Sequence, residues 1–283
     1  MGSEVAARFA VLGHPVAHSL SPLIHAANFR AVGFDGSYGK FDVPPEGLRE
    51  AIDRLQGEGY LGLNITVPHK IAVIGLLDGL DESVTRYGAC NTVKFEADGS
   101  RTGYNTDVIG FVEGLAAHGF SIRGRRVLVL GCGGAGTAIA TCACYEGAAE
   151  VKVAARRAES VASLVSRLES LHAQRPSTKV SGVSDISLWG AAAREADLVV
   201  NATPVGLRPG DPPVLPQGCF RPGQFVFDTV PTKEFPPTAS AALAAGAEAA
   251  DGLEFLVAQG AKAFELWTGL AADRRAMLAA VGR

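Results

Sequence analysis

Between Val127 and Tyr145 the chain runs for 19 residues without a charge, and glycines stand at 131, 133, 134 and 136 within that run. An uncharged stretch of this length approaches a membrane span. The glycines argue against one. Residues 127–130 (VLVL) read as a buried strand, the glycine cluster as a turn, and the uncharged residues after it as a helix.

The same alternation runs through the rest of the chain. Residues 9–13 form a short apolar run ending in Gly-His-Pro, and Ser21-Pro22 opens a helix, with serine suited to capping and proline to the first turn. A strand over 38–43, a helix over 48–55 and a buried strand over 61–67 follow. Helix 108–118, strand 127–130, a helix to about 146, strand 151–154 and helix 160–171 continue the pattern. Strands at 197–200 and 225–230 precede helices at 239–246 and 253–269. Strands alternating with helices predict an α/β fold with largely parallel sheets covered on both faces. Two such units in series are expected, with a break near residues 103–110.

Composition excludes several classes. Glycine makes up 34 of 283 residues, above the ordinary share, with no collagen-like period. An apolar fraction of 47% is too high for a disordered chain. A net charge of −3 speaks against nucleic acid held by bulk electrostatics. Five cysteines do not make a disulfide framework, and Cys142 and Cys144 read as buried thiols in a reducing cytoplasm. The N-terminal residues lack the apolar core of a signal peptide, so a soluble protein is expected. His14, His18 and His25 lie close together, but no carboxylate or cysteine joins them and no metal is expected.

Gly131-Cys132-Gly133-Gly134-Ala135-Gly136 is a G-x-G-x-x-G sequence between a strand and a helix. Its glycines suit the turn, the backbone approach to a pyrophosphate and close helix packing. Thr137 directly follows Gly136 with no lysine between them, so this is not a P-loop. The next strand ends in Arg156-Arg157, with no acid before Glu159. Guanidiniums there suit a 2′-phosphate, which favours NADP over NAD.

In the first half, polar residues follow a buried strand at Asn64-Ile-Thr66-Val-Pro68-His69-Lys70. Asn91-Thr92 and Asn105-Thr106-Asp107 are further polar clusters near glycines. Asp107 and Lys70 could form an acid/base couple, although Asn and Asp are also ordinary turn residues.

These residues together resemble the shikimate dehydrogenase family. The likeness runs from Phe9 to about Gly269 through GHPVAHSLSP (13–22), NITVPHK (64–70), GACNT (88–92), NTD (105–107), DLVVNATPVG (197–206), Gly252-Leu253 and VAQG (257–260). The resemblance implies a substrate-binding domain over 1–107, with 253–283 packing back on it, and a Rossmann-like NADP-binding domain over 108–252. It implies that Ser19 and Ser21 bind the substrate carboxylate and that Thr66, Asn91 and Gln259 bind ring hydroxyls. Lys70 would be the acid/base residue, with Asp107 on the same hydroxyl. Gly131, Gly133, Gly134, Ala135 and Gly136 would hold the pyrophosphate and Arg156, with Arg157 beside it, the 2′-phosphate. Thr203 and Gly252 would line the cofactor site. The implied activity is NADP-dependent reduction of 3-dehydroshikimate to shikimate, within aromatic amino acid biosynthesis, by a cytoplasmic monomer or homodimer. Shikimate would be the small-molecule partner, without nucleic acid or membrane.

Three departures stand out. Ala155 replaces the family's asparagine before the arginine, Pro231 its tyrosine near the substrate, and Phe255 its methionine near the nicotinamide. A quinate or aminoshikimate dehydrogenase is the alternative within the family, and a non-catalytic sensor of shikimate or NADP the alternative outside it. Ser21, in place of a bulkier threonine, gives no sign of quinate.

Overall fold

The computed structural model describes residues 6–171 and 178–282. The leader reading therefore falls partly outside the described residues, at 1–5. The chain divides into two compact units, Met1–Gly110 with Leu256–Arg283, and Phe111–Phe255.

In the first unit, β1 (Ala7–Gly13) is a buried strand, second from the edge of a six-stranded sheet. β2 (Gly36–Asp42) and β3 (Tyr60–Ile65) flank it, both parallel to it. Period-two alternation sends neighbouring side chains of β1 to opposite faces, so the sheet has two cores. Ala10 and Leu12 pack with Leu63, Ile65 and the Leu48, Ile52 and Leu55 stripe of α2 (Leu48–Gly57). Phe9 packs with Phe29 of α1 (Ser21–Val32) and with Phe264 and Trp267 of α9 (Gly252–Thr268). Burial of these aromatic rings, each worth about 2–3 kcal/mol, fastens the C-terminal segment to this unit. The Asp273 N–H bonds Asn28 Oδ1 at 2.8 Å where α10 (Arg274–Ala280) meets α1.

The rest of this sheet departs from the expected parallel order. β5 (Thr92–Phe95) and β6 (Arg101–Tyr104) form an antiparallel pair beside β3, and β4 (Gly79–Leu80) runs parallel to β6 at the edge. A short connection admits only antiparallel neighbours, and Gly99 at φ +87° turns this one. These strands and the six-residue α3 (Glu82–Tyr87) are too short for a periodic signal.

The second unit is a six-stranded, wholly parallel sheet. Its strands are β7 (Arg126–Leu130), β8 (Glu150–Ala154), β9 (Lys179–Val183), β10 (Leu198–Asn201), β11 (Phe225–Asp228) and β12 (Glu248–Ala250). The order β12-β11-β10-β7-β8-β9 is that of a dinucleotide-binding sheet, with its switch point between β7 and β10. Helices α5 (Gly134–Tyr145), α6 (Ala158–Ser170), α7 (Trp189–Glu195) and α8 (Pro237–Ala244) belong to this unit. α4 (Asp107–Ala117) enters it, and its Phe111 stands edge-on to Phe227 at 5.2 Å. Cys142 and Cys144 are buried free thiols. Among the described residues no helix is long and apolar enough to cross a membrane.

Candidate active site

In the first unit, a buried polar network gathers at the carboxyl ends of β1 and β3. Lys70, just beyond β3, donates to Asp107 Oδ2 at 2.6 Å, and both side chains are almost wholly buried. Lys70 is held from its backbone: its carbonyl accepts the Cys90 N–H at 2.8 Å, and the neighbouring His69 ring bonds the Val43 carbonyl at 2.6 Å. Asp107 opens α4, where the partial positive charge of a helix start favours a carboxylate. Its second oxygen accepts from Asn91 Nδ2 at 2.8 Å. Asn91 also meets Thr106 Oγ1 at 2.9 Å and Gln259 Oε1 at 3.3 Å, while its own oxygen accepts the Thr106 N–H at 2.7 Å.

The antiparallel pairing of β3, β5 and β6 lays these residues side by side. Asn64 pairs with Thr92 across β3 and β5, and Thr92 with Tyr104 across β5 and β6. Asn64 donates to Thr92 Oγ1 at 3.1 Å and accepts the Tyr38 hydroxyl at 2.6 Å. Burial raises the Tyr38 phenol, opposed by a hydrogen bond with Ser21. The Tyr38 ring stacks on His25 at 4.2 Å. Burial drives His25 down to about 3, the Asn64 side chain offsetting a small part, so the ring is neutral.

All of the expected catalytic and substrate residues therefore lie in this unit, and Asn64, bonded to both the Tyr38 hydroxyl and the Asn91 carbonyl, links two clusters of them. Lys70, Asp107, Asn91 and Gln259 are joined in one network. Ser21 joins Tyr38 and Asn64, and Ser19 Oγ accepts the Ser21 N–H at 3.3 Å. Thr66 stands beyond β3, its carbonyl bonded by the His69 N–H. Ser21 does not cap α1. Leu20 occupies the cap, Ser21 and Pro22 the first turn, and no side chain caps the helix. The buried Ser21 hydroxyl is engaged by Tyr38 instead. Asn105 realises the turn alternative, its oxygen accepting the Val108 N–H at 3.3 Å at the start of α4. Tyr38 was not apparent from the sequence, because it lies in an edge strand with no neighbouring motif.

In the second unit, the glycine loop leads from β7 into α5. Gly131 has φ +110°, and its N–H bonds the Ala154 carbonyl at 2.7 Å. A methyl group on Gly136 would fall 1.9 Å from the Gly131 carbonyl oxygen, so the turn and the helix start close on each other only with glycine at both positions. Gly133 precedes α5 with open space above its Cα and no side-chain cap. The first intrahelical bond is from Thr137 to Gly133, leaving the N–H groups of Gly134, Ala135 and Gly136 without an intrahelical acceptor. A helix start stripped of side chains in this way fits a diphosphate. Arg156 and Arg157 lie exposed just past β8, and Thr203 follows β10. Phe255 is packed in this unit, edge-on to Phe227 at 6.3 Å. Among the described residues no group of acidic, histidine or cysteine side chains could hold a metal.

Comparison with known proteins adds to this geometry. Residues 11–93 match the shikimate dehydrogenase substrate binding domain, and residues 252–281 the shikimate 5′-dehydrogenase C-terminal domain. The chain is 40% identical over 272 residues to the shikimate dehydrogenase (NADP(+)) of Rubrobacter xylanophilus, covering 94% of this chain and 92% of that one. The shikimate 5-dehydrogenase of Thermus thermophilus, solved with NADP(H) and shikimate, superposes with a TM-score of 0.81 at 38% identity, covering 97% of this chain and 98% of that chain. The quinate dehydrogenase of Corynebacterium glutamicum, solved with NAD, gives 0.83 at 32% identity, with 97% and 98% covered. A relative at this identity along nearly the whole of both chains leaves one conclusion: this chain belongs to the shikimate dehydrogenase family.

Proposed function

We propose that the protein is an NADP-dependent shikimate dehydrogenase, reversibly reducing 3-dehydroshikimate to shikimate. The observation that carries this reading is the buried Lys70–Asp107 pair at 2.6 Å, ringed by the amides of Asn91 and Gln259, in a chain of this family. The first unit, with the C-terminal segment, takes the substrate, and the second takes the dinucleotide. Free cysteines throughout the described residues support a reducing cytoplasm.

Bound NADP would rest on residues Gly131 to Gly136, with Arg156 and Arg157 at its 2′-phosphate and Thr203 and Gly252 lining the site, and it supplies the hydride. The chain's own residues handle the proton. Reduction of a ketone builds negative charge on its oxygen, and Lys70 donates a hydrogen bond and then the proton to it. Asp107, fixed by Asn91, aims the Lys70 ammonium and accepts from the hydroxyl being made. Ser19 and Ser21 hold the carboxylate, and Thr66, Asn91 and Gln259 the ring hydroxyls.

Steady-state assays with shikimate and quinate, each with NADP+ and NAD+, test the reading. The expected outcome is a kcat/KM for shikimate with NADP+ well above the other three combinations. Preference for quinate with NAD+ would move the protein to the quinate branch, and binding of both ligands without turnover would make it a sensor.

A further inference from the structure

Asp228 ends β11 and is wholly buried. Its Oδ1 accepts from the Asn201 side-chain amide at 3.0 Å and from the Val230 N–H at 3.1 Å. Its Oδ2 is buried without a hydrogen-bond partner among the described residues. Burial pushes the carboxyl up to about 7, opposed by the Asn201 and Val230 donors and reinforced by Asp251. A carboxyl this deep, with one oxygen unsatisfied, is a costly residue to keep for packing alone.

What the carboxyl holds is the side chain that organises the next turn. Asn201, at the end of β10, also donates to the Val205 carbonyl at 3.2 Å. Its oxygen accepts the Thr203 N–H at 3.1 Å and the Thr203 hydroxyl at 2.7 Å, and Thr203 Oγ1 in turn accepts the Val205 N–H at 3.2 Å. Residues 201–205 are thus wound around one amide, and Asp228 fixes that amide.

Two other pieces of the nucleotide site lean on the same pair. A methyl group at Gly131 would lie 2.8 Å from the Ala202 carbonyl oxygen, so the glycine loop rests directly on this turn. On the other side, a methyl group at Gly252 would lie 2.5 Å from the Val230 carbonyl carbon, in the segment that Asp228 ties down through the Val230 N–H.

We propose that Asp228, acting through Asn201, is a positioning residue for NADP: it sets the 201–205 turn, and with it Thr203, against the glycine loop and Gly252. This rests on the reading of those three pieces as the NADP site. Being wholly buried, Asp228 acts on the cofactor only through the backbone and side chains it holds.

Direct titration calorimetry, without turnover, tests it by measuring NADP+ and shikimate affinity separately. Asp228→Ala removes the acceptor shared by Asn201 and Val230, whereas Asp228→Asn keeps an acceptor and discards the charge. Loss of one buried bond to the hub should weaken NADP+ about tenfold in Asp228→Ala. Asp228→Asn should stay within about twofold of wild type, and shikimate affinity should be the same in all three. Asn201→Ala, which breaks the same bond from its other end, should also weaken NADP+ and spare shikimate, and serves where Asp228→Ala does not fold. Wild-type NADP+ affinity in the alanine variants, an equal loss for shikimate, or no rescue by asparagine would each overturn the positioning role. A wild-type protein that binds no NADP+ would instead overturn the cofactor reading itself.

Discussion

In the proposed mechanism the chemistry turns on Lys70, and its surroundings specify what its removal should do. Its ammonium is nearly buried and bonded to a carboxylate that itself has one further donor, Asn91. Replacing Lys70 with alanine should lower kcat by about 10²- to 10⁴-fold, the usual worth of a positioned acid/base group, with the KM for shikimate little changed. The same change strands the buried Asp107 carboxylate, so a lowered melting temperature should accompany it. Near-normal turnover would remove Lys70 from the mechanism. Lys70 and Asp107 were legible in the sequence as polar residues beside a buried strand and a helix start. Their pairing was open in the sequence as an acid/base couple against ordinary turn chemistry, and only the fold, by bringing two distant segments together, gives the 2.6 Å contact. Tyr38 shows the same limit. Its hydrogen bond to Asn64 needs the pairing of β1 with both β2 and β3, and its bond with Ser21 the packing of α1 against β2.

Among the elements, the β7–loop–α5 segment is the most local, and its sequence can be read directly as structure. Alanine at an interior helical glycine ordinarily gains stability. At Gly136 the added methyl would sit 1.9 Å from the Gly131 carbonyl, so loop and helix must separate. Gly136→Ala should therefore cost about 1–3 kcal/mol of stability and weaken NADP+ at least about tenfold. A thermal melt and an NADP+ titration check both, and an unchanged affinity would detach the glycine loop from the cofactor. The β5–β6 hairpin is the opposite case. TVKF and RTGY carry too few apolar residues to announce strands, yet this antiparallel pair is what brings Asn91 beside Thr106 and Asp107.

For the molecule as a whole, two buried groups give its units opposite responses to acid. His25, in the first unit, falls from 6.5 to about 3 on folding. The unfolded chain takes up a proton there that the folded unit refuses, so its stabilising effect is complete above about 6.5 and is lost as pH falls. Asp228, in the second unit, rises from 3.8 to about 7. Here the folded unit binds the extra proton, so stability is greatest below about 3.8 and declines as pH rises towards 7. Each group contributes a slope of about 1.4 kcal/mol per pH unit, with opposite signs between roughly pH 4 and 6.5. Calorimetric melts of wild type, His25→Phe and Asp228→Asn across that window should show two drifts. The stability difference between wild type and His25→Phe should shift towards the variant on acidification, and that for Asp228→Asn towards the variant as pH rises; differences flat with pH would mean neither group titrates as its burial requires. The alternation of strands and helices, the glycine loop and the basic end of β8 were already decided by consecutive residues, because steric freedom, side-chain periodicity and capping act within a few positions. Strand order, the antiparallel hairpin and the Asn91 and Asn201–Asp228 hubs came only with folding. A buried polar group has to find its partners wherever the packed chain brings them, and that distance in sequence leaves no local trace.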